Sequence, residues 1–171
     1  MRGVAQRLAA LAMVGPVATV PAAAEPEGVA SSKNGDWQVM TDGAQPPQIC
    51  FAVSAPKTSE AKGLDRAPAF FYLSTWAKDG IKAEISIKMG FALHKGSEAT
   101  LMVGDASFKM FANGDRLYVS DPVKELKLLD ALKKGSKATL IATSEKGIRS
   151  TDTYSLTGLA QALQAVAKLC P

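Results

Sequence analysis

Histidine is almost missing: His94 is the only one in 171 residues. A single imidazole excludes any site that needs two, including helical His-x-x-x-His zinc centres. Cysteine is nearly as scarce. The two present, Cys50 and Cys170, cannot build a four-cysteine zinc site or hold an iron–sulfur cluster within one chain. There is no Gly-rich phosphate loop, no dinucleotide fingerprint and no EF-hand loop. There is also no Gly-x-Ser-x-Gly turn to lift a nucleophilic serine above a sheet. No uninterrupted apolar run is long enough to span a bilayer, since the best candidate, Leu8 to Val20, is broken by Gly15 and Pro16. With 47% hydrophobic and 21% charged residues, the composition is that of one ordinary globular domain.

The broken apolar run has its own meaning. Arg2 and Arg7 precede it, and Pro21-Ala22-Ala23-Ala24 ends it with small residues before Glu25. A positive start, a short apolar middle and a small-residue end describe a secretory signal peptide, expected at residues 1–24. Its removal takes away two arginines and no acid, so half of the formal +4 charge belongs to the leader. The remaining balance gives no argument for nucleic acid as a partner. An exported chain enters an oxidising space, where Cys50 and Cys170 read as a disulfide. A reactive free pair or an intermolecular bridge are the alternatives. The expected location is periplasmic or secreted, with no transmembrane segment once the leader is gone.

Residues 25–35 are polar and rich in Pro, Gly and Ser, and read as a flexible lead-in to a single domain over 36–171. From Asp36 on, short runs of period two dominate. Trp37 to Met40 and Gln48 to Ala55 read as strands, with Ile49, Phe51 and Val53 on one face and Cys50 and Ala52 on the other. Ala69 to Trp76 is rich in aromatics, as strands prefer. In Ile81 to Met89 the odd positions are apolar and the even ones polar, which predicts one buried and one wet face. Asp79-Gly80, Gly104-Asp105, Asn113-Gly114 and Lys146-Gly147 are hairpin turns.

Two helices interrupt this pattern. Asp121-Pro122 supplies a capping carboxylate and a pre-set first residue, and Gly135 ends the helix. Val123, Leu126, Leu129 and Leu132 are its expected apolar stripe. After Thr157-Gly158, Leu159, Leu163, Val166 and Cys170 share one face of a C-terminal helix, which turns the last cysteine inward. The expected fold is mainly β: an antiparallel β-sandwich or rolled sheet with two short helices, one of them C-terminal.

Candidate chemistry is sparse. His94, with Ser97 nearby, is the one candidate general base, and Asp36, Asp42, Asp65 and Asp152 are carboxylates that could pair as glycosidases require. Met40, Met89, Met102 and Met110 read as core filling rather than soft metal ligands. No metal or other cofactor is expected. Lys82, Lys88 and Lys95 around one hairpin, with Lys124 and Lys127 on the first helix, are possible contacts to an anionic surface.

The segments Cys50-Phe51-Ala52-Val53-Ser54-Ala55-Pro56-Lys57 and Ser150-Thr151-Asp152-Thr153-Tyr154-Ser155-Leu156-Thr157-Gly158, followed by Ala162-Leu163 and Cys170, resemble the invasion-associated locus B family. Gly35-Asp36-Trp37 and Ala131-Leu132-Lys133-Lys134-Gly135-Ser136 match it as well. Thr41 stands where many members carry a cysteine, and no cysteine lies in Met110 to Asp115, where many carry a Cys-x-x-x-Gly-Cys element. The resemblance is therefore to a branch with one long-range cysteine pair. It implies an exported, mostly β protein of alphaproteobacterial type, with an envelope or host-interaction role and no established enzyme activity. The combined expectation is a non-catalytic binding protein that meets a protein or envelope component through a sheet edge or its lysine-bearing faces. The competing expectation is a periplasmic hydrolase built on His94 or paired carboxylates.

Overall fold

A computed structural model describes residues 26–171; the leader expected at 1–24 lies outside the described residues. The elements run β1 (Val29–Asn34), β2 (Trp37–Thr41), β3 (Ile49–Ser54), β4 (Thr58–Glu60), β5 (Phe70–Trp76), β6 (Ile81–Lys88), β7 (Glu98–Val103), β8 (Ala106–Asn113), β9 (Arg116–Tyr118), α1 (Pro122–Lys134), β10 (Lys137–Thr143), β11 (Arg149–Ser155) and α2 (Leu159–Leu169). All strands join one antiparallel sheet in the order β1-β2-β3-β5-β6-β9-β8-β7-β10-β11-β4. Of the two expected architectures, this is the rolled sheet.

Chain connectivity forces the roll. β3 lies near one end of the strand order and β4 at the other, yet they are consecutive in the chain. A linker this short cannot cross an open eleven-stranded sheet, so the sheet must curl until its two ends meet. A seam of specific bonds holds the ends together. The Asp36 amide donates to Thr157 O at 3.0 Å, and the Trp37 indole N–H donates to Ser155 O at 3.0 Å. The Lys57 amide donates to Thr153 O at 2.7 Å, and its ammonium pairs with the Asp36 carboxylate. Gly35 and Gly158 sit where the backbones touch: a Cβ on Gly158 would lie 2.1 Å from Asn34 O. The segments that carry the family resemblance thus converge on this closure.

Residues facing into the roll form the main core, with Trp37, Phe71, Leu73, Ile85, Leu101 and Tyr154 wholly buried. α2 packs against β1, β2, β3 and β5 and buries Leu159, Ala162 and Val166. Cys170, at its C-cap, is bonded to Cys50 on β3, with a Cα–Cα distance of 6.0 Å. The expected intramolecular pairing is therefore present, and no free cysteine remains among the described residues.

Three details differ from expectation. Val29–Asn34, read from sequence as part of the lead-in, pairs with β2 and forms an edge of the sheet. In α1 the buried residues are Leu128 and Leu132, while Val123 and Leu126 are 61% and 65% exposed. The inward face carries Glu125, whose carboxylate accepts from the Ile85 amide at 2.8 Å beside the end of the β6–β9 pairing. In β6 the alternation fails at its start. Trp76 faces Ile81 and Ser74 faces Glu84, so β6 carries an extra residue in a bulge, with Ala83 at φ +58°. The insertion turns Ile81 away from the core, leaving it 43% exposed, while Ile85 and Ile87 stay buried.

Two stability predictions follow from backbone geometry. Ala83 occupies left-handed space without being glycine, so Ala83→Gly is expected to stabilise the domain by up to about 1 kcal/mol, net of the added unfolded-state entropy. A lower melting temperature in that variant would contradict the strain. Gly114 turns the β8–β9 hairpin at φ +64°, and open space surrounds the position of its missing Cβ. Gly114→Val should therefore destabilise through φ alone, by roughly 2 kcal/mol. Gly114→Asn should cost much less, and equal melting curves for the two variants would show that side-chain size matters instead.

Candidate functional site

The outer face of β3, β5, β6 and β9 carries the largest unexplained feature. Phe51, Val53 and Met40 are buried on it, away from the main core, against Ile49, Phe70 and Tyr72. Register lays the side chains out in rows. One row runs Val53, Tyr72, Ser86, Tyr118; the next runs Phe51, Ser74, Glu84; and a third runs Phe70, Lys88, Arg116. Ser74 and Ser86 are small residues between large ones, and both are buried on the sheet surface. The face is therefore low in the middle and walled by aromatics, a groove with a cavity volume of about 580 Å³. That volume lies in the range of small-molecule and short-peptide sites.

Its aromatic walls interlock. Phe51 and Phe70 meet Tyr72 with ring centroids at 5.8 and 6.1 Å, and the Arg116 guanidinium stacks on Tyr72 at 5.1 Å from the ring centroid. Burial pushes the Tyr72 phenol up, with Arg116 pulling the other way. Glu84 is also pushed up by burial, offset in part by the neighbouring Trp76 indole. The indole N–H lies near the Glu84 carboxylate but is buried without a hydrogen bond of good geometry. Arg116 and Lys88 form no ion pair among the described residues.

The residues singled out from sequence are mostly elsewhere. Lys88 is partly buried and lines the groove, whereas Lys82, Lys95, Lys124 and Lys127 are exposed and do not. His94 is exposed in the turn before β7, with no side-chain hydrogen bond to a serine or carboxylate among the described residues. The carboxylates are occupied separately. Asp36 is bonded to Lys57, which holds it below the usual carboxylate range, and Asp42 accepts from the Gln48 and Ala44 amides. Asp152 is fully buried and takes a two-pronged contact from Arg66 at 2.8 and 3.0 Å. Asp65 is exposed. Met89 and Met110 are in the main core, Met40 is in the outer cluster, and Met102 is 36% exposed. Among the described residues no three His, Cys, Asp or Glu side chains could hold a metal together.

Sequence reasoning missed the groove because its residues come from separate strands. The one available signal was the run Phe70, Tyr72, Trp76, in which aromatics occupy the face that a one-sided sheet leaves to polar residues. Phe51 is the one groove aromatic that also belongs to a segment carrying the resemblance.

The fold and site define a class: a rolled antiparallel sheet, with a C-terminal helix tied to it by one long-range disulfide and an aromatic groove on its outer face. Residues 37–167 match the sequence model of the family described as Invasion associated locus B (IalB) protein. The chain belongs to that family. The match starts at Trp37, just after Gly35 and Asp36 of the seam, and covers the core strands, the Ser155–Gly158 side of the seam and most of α2. Comparison with curated proteins gives no match, and neither does comparison with solved structures.

Proposed function

We propose that this protein is an exported, non-catalytic binding module that engages an envelope component or host partner through the outer-face groove. The observation that carries the reading is the aromatic trough itself, with Tyr72, Trp76 and Tyr118 around a serine floor and unpaired Arg116 and Lys88 at one side. Half-buried aromatics with a few convergent polar groups are a usual make-up of a ligand site. The sheet edges suit this role poorly. β4 is three residues long, and β1 has a register shift between Ala30 and Ser32, both of which blunt strand addition. The leader-like residues 1–24 and the disulfide support export. Among the described residues no helix is long and apolar enough to cross a membrane.

The test uses immobilised protein and detergent-solubilised envelope. Wild type and a Lys124→Glu/Lys127→Glu variant should retain the same material, and a Tyr72→Ala/Arg116→Glu variant should lose it. Equal retention by all three proteins would count against the groove. Loss with the lysine variant alone would move the site to α1.

A further inference from the structure

We infer that the ligand of the groove is a short, extended, acidic peptide containing proline; this rests on the groove being the binding site. Three features of this face converge on that chemistry.

The first is that the chain already lays such a segment on this face. Pro26 and Glu27 line the groove. Gly28, at φ +140°, brings the backbone down onto the outer cluster: a Cβ there would lie 3.1 Å from Phe51 Cζ and 2.9 Å from Thr41 O. The Glu27 charge is felt at the Tyr72 hydroxyl, where Arg116 acts with the opposite sign. A proline followed by a glutamate thus rests beside a tyrosine stacked under an arginine. The cavity lies alongside this segment, so a second extended chain can pack with Pro26–Glu27 as one wall.

The second is the shape and composition of the walls. Aromatic-lined grooves hold proline-rich chains because those chains are extended before they bind and lose little entropy. Such a chain has no internal hydrogen bonds, so its carbonyls are free acceptors. The groove offers donors to match: the buried Trp76 indole N–H has no hydrogen-bond partner, and Ser74 and Ser86 line the floor.

The third is charge. Arg116 and Lys88 face each other across the β6–β9 pairing and neither has a carboxylate partner among the described residues. Glu84 lies on the same face but in the row with Phe51 and Ser74, away from the two cations. The two cations therefore sit together at one end of the groove, two rows from Glu84, and the acid that the chain itself brings to that end is Glu27; a peptide carboxylate complements the same end.

The experiment is a titration of the full exported chain with acetyl-Pro-Glu-Pro-Pro-Glu-Pro-amide, followed by tryptophan fluorescence and calorimetry. Of the two tryptophans, Trp37 is wholly buried, so a ligand-induced change reports Trp76. Saturable binding is expected, weakened at least tenfold in Arg116→Glu and in Tyr118→Ala and unchanged in Lys124→Glu/Lys127→Glu. A Gly-Ser hexapeptide should bind at least tenfold more weakly. Circular dichroism shows whether each variant is folded, and Arg116→Lys should recover part of the affinity if charge is what matters. Equal binding of the Gly-Ser peptide, or indifference to Arg116→Glu, would overturn the inference. Saturation by chitotetraose without saturation by the peptide would make the groove a saccharide site, overturning the inference while leaving the binding reading intact. If no probe binds, the inference fails; the binding reading fails with it only if envelope retention is also insensitive to Tyr72→Ala/Arg116→Glu.

Discussion

Breaking the Cys50–Cys170 bond is expected to destabilise the domain by about 4–5 kcal/mol, which lowers the melting temperature by on the order of 10–20 °C. The bond closes a loop with a sequence separation of 120, nearly the whole described chain, so its loss frees the unfolded state more than a short loop would. Its position adds a local effect. Cys170 caps α2 and Cys50 lies under it on β3, so the bond pins the end of the helix that covers β1, β2 and β3. Cys50→Ala/Cys170→Ala should therefore lose hydrogen-exchange protection in α2 before it does so in the sheet. Identical melting curves for wild type and the double variant would contradict this, and so would loss of protection that begins in β7 and β8.

Asp152→Ala is expected to cost about 3–5 kcal/mol. Asp152 is fully buried on β11, and the Arg66 side chain is 13% exposed in the segment between β4 and β5. Arg66 donates both to the carboxylate and to Met89 O at 2.6 Å, and its guanidinium lies 5.0 Å from the centre of the Phe91 ring. Ser59 also donates to Asp152. Removing the acid leaves a nearly buried cation without its counter-charge, which is worse than never having had the pair. Arg66→Met/Asp152→Leu should therefore be more stable than Asp152→Ala, despite carrying one more change. The same ion pair holds the segment that leads to Ala67 and Pro68, two residues on the groove rim. Asp152→Ala should loosen the rim as well as lower stability. Urea denaturation of the three proteins checks the ranking; equal midpoints for Asp152→Ala and wild type would mean that the pair contributes little.

Local patterns were legible in the sequence where local rules govern. The split of Ile49, Phe51 and Val53 from Cys50 and Ala52 follows from strand periodicity, and the structure places the two sets in different clusters. The turns at Gly80, Gly104, Gly114 and Gly147 all have positive φ, and Asp121 caps α1 by accepting from the Val123 amide at 2.8 Å. What failed was decided by neighbours distant in the chain. The β6 bulge depends on pairing with β5, and the inward face of α1 depends on the free Ile85 amide that Glu125 takes. β1 and β4 are polar and exposed, so no periodicity marks them, and they exist because β2 and β11 offer free edges. The groove was hidden for the same reason. Tyr72, Ser86 and Tyr118 become neighbours only once β5, β6 and β9 are in register.

There is a division of labour in this. Gly35-Asp36-Trp37, Lys57 and Thr153 to Gly158 close the roll, and Cys50 with Cys170 locks α2 onto it. Most groove residues lie outside those segments, on β5, β6 and β9. The segments that carry the resemblance therefore build the scaffold, and the groove lies mostly beside them.

Oxidative footprinting in intact cells tests the role of the groove most directly. Hydroxyl radicals label accessible aromatic and aliphatic side chains, so Trp76 and Tyr118 can be compared with Val123 and Leu126 on α1. If the groove is occupied in its native setting, Trp76 and Tyr118 are labelled less in cells than in the purified protein, while Val123 and Leu126 are labelled alike. Equal labelling of Trp76 and Tyr118 in both settings, or protection confined to α1, contradicts the account.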